Sequence, residues 1–139
     1  MKDRIFVDTN ILVYAHDLNA GDRHAKACAI IESLWEAQTG VVSTQVLQEF
    51  YVTVTRKIKS PLKPAEARET IRNYLAWPLQ VNDPETTIRA SEIEEKNGLS
   101  FWDALIVAAA LQLQAKKIIS EDLNNGQIIE GIMIENPLL

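Results

Sequence analysis

Short apolar runs alternate with longer amphipathic stretches along the whole chain, and this spacing predicts strands alternating with helices. Ile5-Phe6-Val7 is a first buried strand that ends at Asp8 and turns directly into a helix at Thr9 or Asn10. Asp22 can cap a second helix with an apolar face of Ala25, Ala29, Ile30, Leu34 and Trp35, punctuated by Gly40. Val41-Val42 is a second strand, and Ser43 or Thr44 caps a helix striped by Val46, Leu47, Phe50, Tyr51 and Val54. Pro64 opens another helix, which continues to about Trp77, and Leu79-Gln80-Val81 is a short third strand. From Asp83-Pro84 a helix runs to about Lys96, stopped by Asn97-Gly98. Ser100 caps a helix that is apolar on every side from Ala104 to Leu111, so it must be covered nearly all round. Lys117-Ile118-Ile119-Ser120 is a fourth strand and Ile132-Met133-Ile134 a fifth, with Asn124-Asn125-Gly126 a turn between them.

Such alternation belongs to a parallel sheet covered on both faces, and sheets of that kind bind ligands beyond the C-terminal ends of their strands. Asp8 and Asp122 lie just past two such ends. The 139 residues suffice for one core, and no repeat or linker interrupts them, so residues 1–139 are expected to form a single domain.

Composition narrows the possibilities. Hydrophobic residues make up 47% and charged residues 24%, a globular rather than a disordered mixture. The longest uninterrupted apolar run, Ala104 to Leu111, is far shorter than the roughly 20 residues that cross a bilayer. With Asp3 near the start and no secretory apolar segment, a soluble cytoplasmic protein is expected. The single cysteine, Cys28, cannot form an internal disulfide and suits a small buried position. A formal charge of −5 gives no overall attraction for nucleic acid, so a polyanion must be met by a local basic patch and a bound metal.

Four acids then stand out: Asp8, Glu49, Asp103 and Asp122. Each has an ordinary explanation. Asp8 can cap the following helix, and Glu49, roughly 130° from the centre of its helix's apolar stripe, can be a solvated glutamate. Asp103 completes Ser-x-x-Asp with Ser100, a favoured arrangement in a first helical turn, while Asp122 can be a turn aspartate and Glu121 beside it faces solvent. Their joint placement in one predicted crevice is what carries a functional reading. Clustered carboxylates repel unless a cation compensates them, and oxygen donors alone favour Mg²⁺ or Mn²⁺ over Zn²⁺. The chemistry suggested is metal-assisted phosphodiester hydrolysis.

Arg56, Lys57, Lys59 and Lys63 form the one basic concentration of any length, either a solubilising helix end or a grip on phosphates flanking a cut. His16 and His24 lack partners at zinc spacing, and surface or capping roles are expected for them. There is neither a phosphate-cradling glycine loop nor a nucleophile elbow.

The order Val-Asp-Thr-Asn at 7–10, Glu49 on the helix after the second strand, Ser-Phe-Trp-Asp-Ala-Leu-Ile-Val-Ala-Ala-Ala at 100–110, Ser-Glu-Asp-Leu at 120–123 and the closing Asn136-Pro137 resembles PIN-domain ribonucleases, especially toxins of the VapC type. The likeness covers nearly the whole chain. It implies a three-layer α/β/α fold around a five-stranded parallel sheet in the order 3-2-1-4-5. It implies that Asp8, Glu49, Asp103 and Asp122 surround one or two Mg²⁺ or Mn²⁺ ions, supported by Thr9, Asn10 and the hydroxyl of Ser120, where threonine is commoner. It also implies an endoribonuclease acting on RNA to leave 5′-phosphate and 3′-hydroxyl ends, a cognate antitoxin and a homodimer.

Two other readings stand beside the toxin. A PIN nuclease could serve RNA maturation or DNA cleavage outside a toxin module. A non-catalytic receiver-like module could hold Mg²⁺ in an acidic pocket, although Ile132 to Leu139 lacks the lysine a receiver carries after its fifth strand. A phosphatase of the haloacid-dehalogenase type would be expected to place a second aspartate at position 10, where this chain has Asn10.

Overall fold

A computed structural model describes residues 2–139. The elements are β1 (Ile5–Val7), α1 (Thr9–His16), α2 (Asp22–Ala37), β2 (Gly40–Ser43), α3 (Thr44–Arg56), α4 (Pro64–Tyr74), β3 (Leu79–Gln80), α5 (Pro84–Asn97), α6 (Phe101–Gln112), β4 (Lys117–Ile119), β5 (Ile128–Ile129) and β6 (Ile132–Glu135). Strands lie in the order β3-β2-β1-β4-β6-β5. The first five positions of that order are parallel to their neighbours, as expected, with β6 serving as the fifth strand.

The sheet has one strand more than the sequence suggests. After the Asn125-Gly126 turn, Ile128 and Ile129 pair antiparallel with Met133 and Ile132. A strand of two residues is too short for a periodic pattern to register, so its pairing is decided by β6 alone.

Phe6, Val7, Val41 and Val42 are all fully buried, which is the signature of central strands covered on both faces. One helical group packs α1 against α2 and α3, and α3 against α4; the other pairs α5 with α6. Both groups touch β2, as layers on opposite sides of the sheet do. Every residue from Ala104 to Ala110 in α6 is buried, so its all-round apolar character is matched by all-round cover. Four of those seven are alanines, whose small side chains let the backbones of α5 and the sheet approach closely.

The caps place the helices at the right end of the sheet. Asp8 caps α1, Ser43 caps α3 by accepting the Val46 N–H at 3.3 Å, and Ser100 caps α6 by accepting the Asp103 N–H at 3.1 Å. Gly98 ends α5 in the left-handed region at φ 68°, as its sequence predicts.

Helix α2 departs from expectation. Its N-cap is Gly21 rather than Asp22, and it buries Ala27, Ile31 and Leu34 while Ala25, Ala29 and Trp35 are exposed. Two apolar stripes coexist on this alanine-rich helix, and packing against α1 and β2 selects between them. Gly40 does not end α2, which stops at Gln38 in the left-handed region; it opens β2 instead. There the indole of Trp77 lies so close that an added Cβ would sit 2.7 Å from it. Helix α4 closes at Tyr74, and Trp77 is buried just beyond it.

His16 is not a surface residue. It is half-buried, with Nε2 3.0 Å from the Tyr74 hydroxyl and its ring edge-on to Phe50, and burial lowers its pKa. His24 meets the backbone oxygen of Tyr14 at 2.9 Å, and the Cys28 thiol donates to the Ala15 carbonyl, so that cysteine is half-buried rather than enclosed. Among the described residues no helix is long and apolar enough to cross a membrane.

Candidate active site

Strand β1 delivers Asp8 to the C-terminal edge of the sheet, between β2 and β4. Asp8 is 6% exposed. One oxygen accepts the Thr9 backbone N–H at 2.7 Å and the other accepts the Ser120 hydroxyl at 2.7 Å. Burial nevertheless dominates and pushes the Asp8 carboxyl up to about 6, with the negative charges of Glu49 and Asp122 pushing the same way. Both donors oppose the shift without cancelling it.

Glu49 reaches this centre from α3, where its Oε1 accepts the Thr9 hydroxyl at 2.6 Å. The loop after β4 brings Asp122, whose Oδ2 accepts Asn10 Nδ2 at 3.1 Å. Ser120 is fully buried at the hub: its oxygen donates to Asp8 and accepts the Asp122 and Leu123 N–H groups at 3.1 and 3.4 Å. Asn10 completes the loop's anchorage by accepting the Glu121 N–H at 3.0 Å. Thr9, Asn10 and Ser120 thus touch the acids they were expected to support.

Thr9, Asn10, Glu49 and Asp122 line a cleft of about 740 Å³, together with Tyr14, Asp17, Thr53 and Lys57. Asp103 stands apart from this wall. It is half-buried in the first turn of α6, does not line the cleft, and among the described residues its carboxylate makes no side-chain hydrogen bond. The start of α6 is tied to α3 by Gln45, whose Nε2 donates to the Trp102 carbonyl at 3.2 Å. Of the basic group, Lys57 lines the cleft, whereas Arg56, Lys59 and Lys63 are exposed away from it.

Glu121, expected in solvent, is a cleft residue. It accepts the Tyr14 hydroxyl at 2.6 Å and Arg23 Nε at 2.8 Å, and these two donors lower its pKa. The same bond pushes the Tyr14 hydroxyl up to about 12. No local signal marks Tyr14 or Arg23, because both lie about a hundred positions from their partner.

A PIN domain family model matches residues 5–127. The chain belongs to the PIN-domain family. This PIN domain is 33% identical over 84 residues to Ribonuclease VapC24 of Mycobacterium tuberculosis, a match covering 56% of the chain and 57% of the relative. The matched stretch therefore spans little more than half the length of that curated relative. The PIN domain also superimposes on the crystal structure of Mycobacterium tuberculosis VapC20, described as a Sarcin-Ricin loop cleaving toxin. That likeness has a TM-score of 0.66 at 21% identity and covers 85% of this chain and 89% of the other. A toxin-antitoxin complex from Klebsiella pneumoniae contains a chain alike at TM-score 0.68 and 22% identity, covering 96% and 97%. At these identities the two structures speak to fold.

The donor set of the PIN domain suits a hard divalent cation. Asp8, Glu49 and Asp122 supply oxygen only, and among the described residues none of the four acids has an ion-pair partner within 4.0 Å. No three acidic, histidine or cysteine side chains among the described residues are drawn together tightly enough to ligate an ion directly. Mg²⁺ commonly retains several waters, and carboxylates that reach it through water need not converge so closely.

Proposed function

We propose that this PIN domain is a divalent-metal-dependent endoribonuclease, the toxin of a toxin-antitoxin pair. The observation that carries the reading is Asp8: a buried carboxylate, held by two donors, near two more carboxylates, none of the three with an ion-pair partner within 4.0 Å among the described residues. Leaving such charge uncompensated destabilises a fold, and a hard cation reverses the penalty.

In this reading Asp8, Glu49, Asp103 and Asp122 hold Mg²⁺ or Mn²⁺, directly or through water. When bound, the ion lowers the pKa of a water and stabilises charge on phosphate oxygens. Ser120 and the Thr9 N–H fix the Asp8 carboxylate, the Thr9 hydroxyl fixes Glu49, and Asn10 fixes Asp122. Those bonds preset the geometry before substrate arrives. Lys57 offers a cation to a phosphate flanking the cut.

A cytoplasmic RNA is the substrate, cut to 5′-phosphate and 3′-hydroxyl ends. The antitoxin and homodimer follow from the likeness to VapC-type proteins, and the similar chain in the Klebsiella complex supports a protein partner. An antitoxin lysine or arginine in the acidic cleft would silence the site by taking the place of the ion.

The deciding experiment incubates a mixed RNA pool with Mg²⁺ or Mn²⁺, with EDTA, and with the variants Asp8→Asn and Asp103→Asn. Cleavage should require the metal and both aspartates. Activity surviving chelation and both substitutions would refute the mechanism. Growth arrest on expression, relieved by a small neighbouring gene, separates a toxin from a PIN nuclease of RNA maturation or DNA cleavage.

A further inference from the structure

Where the cleft meets a neighbouring pocket lined by Arg23 and Glu121, the structure carries an ordered array to which the proposed reaction assigns no part. Glu121 follows β4, Tyr14 lies on α1 and Arg23 opens α2, and the glutamate binds both others, at 2.6 and 2.8 Å. The Arg23 guanidinium carbon also stands 5.8 Å from the centre of the Tyr14 ring. Each Glu121 oxygen has one of these donors, and the tyrosine face supports the guanidinium plane from the side.

This arrangement leaves one group ready for a ligand. Of the five guanidinium donors, Nε–H goes to Glu121; the terminal nitrogens have no partner among the described residues, and the side chain is 58% exposed. A guanidinium whose plane is already fixed loses little freedom when it grips a phosphate with two parallel bonds.

The charge pattern indicates which ligand. Asp17, Glu49, Glu121 and Asp122 line the cleft, against Lys57 alone. A polyanion crossing this acidic surface gains affinity from each protein cation that meets one of its phosphates. Lys57 follows α3, which begins at β2, whereas Glu121 follows β4; β2 and β4 flank β1 on opposite sides. Arg23, through Glu121, and Lys57, through α3, are therefore tied to strands on opposite sides of β1.

We infer that Arg23, held by Glu121 and Tyr14, binds a phosphate of single-stranded RNA on the side of the cleft opposite Lys57. The inference rests on the nuclease reading, and its test is built to fail separately from it. A short fluorescein-labelled single-stranded RNA is titrated onto the Asp8→Asn protein over a range of salt concentrations, alone and combined with Arg23→Ala, Arg23→Lys or Arg68→Ala. Arg68 is an exposed cation on α4 outside the cleft and serves as the control. Losing one phosphate contact should weaken binding roughly tenfold and make the log Kd against log salt slope shallower by about 0.7. Arg23→Lys should keep the parent's slope with intermediate affinity, and Arg68→Ala should match the parent.

An Arg23→Ala protein with the slope of Arg68→Ala overturns the inference, whether its affinity is unchanged or falls together with its melting temperature. If wild-type protein neither binds nor cleaves RNA, the nuclease reading fails first and takes this inference with it.

Discussion

Asp8, buried behind the cleft, and Glu121, which lines it, are carboxylates treated in opposite ways. Asp8 is buried and pushed up to about 6; it accepts two hydrogen bonds but feels the like charges of Glu49 and Asp122. Glu121, on the rim, is pulled down by a tyrosine hydroxyl and an arginine. Glu121 is paired with an arginine within the fold, whereas Asp8 has no ion-pair partner among the described residues.

Asp8→Asn breaks the comparison most severely. It keeps the shape and the acceptor oxygen while removing the charge, so RNA cleavage should be abolished in a gel assay. The same variant should unfold at higher temperature than the metal-free wild type at neutral pH. A variant that is both inactive and less stable would argue that Asp8 serves only as a cap.

The two carboxylates also give opposite pH signatures. Asp8 holds its proton more tightly folded than unfolded, so its contribution to metal-free stability is full below its unfolded value of 3.8 and is lost as pH rises through about 6. A shift of this size corresponds to about 3 kcal/mol as an order of magnitude. Glu121 behaves the other way: its contribution is present above 4.5 and is lost as pH falls through its lowered folded value. Chemical denaturation between pH 4 and 7 should therefore show wild type losing stability relative to Asp8→Asn as pH rises, with Mg²⁺ removing much of the difference.

Ser120→Ala sharpens the comparison more gently. The hydroxyl orients Asp8 and collects two N–H groups of the Asp122 loop, so its loss should cost roughly 10- to 100-fold in activity or metal affinity. Ser120→Thr should restore the function, and a fully active alanine variant would remove Ser120 from the site. The smallest effect belongs to the rim. Tyr14→Phe removes one hydrogen bond to Glu121 and should lower stability by about 1 kcal/mol, read from a melting curve, while cleavage still depends on metal.

Much of this site was legible locally. Asp8 after Ile5-Phe6-Val7 and Asp122 after Ile118-Ile119-Ser120 announce themselves because a buried strand must end at a crevice, and the helix caps follow from short-range hydrogen bonding. Glu121 faces the cleft rather than solvent for a physical reason: its neighbours in sequence say nothing of Tyr14 and Arg23, which arrive from two other helices. The buried face of α2, Ala27, Ile31 and Leu34, is likewise not marked in the sequence, since alanines at several spacings leave more than one apolar stripe.

By itself the sequence determined the alternation of strands and helices, the parallel sheet, and which acids stand at strand and helix ends, because each of these is set by residues within a few positions of one another. Tertiary structure alone decided the antiparallel edge strand, the glycine under Trp77, the isolation of Asp103 from the cleft wall, and the division of the acids into a balanced rim and an unbalanced centre. Those outcomes depend on how far a charge lies from water and from partners a hundred residues away, and such distances exist only once the chain has folded.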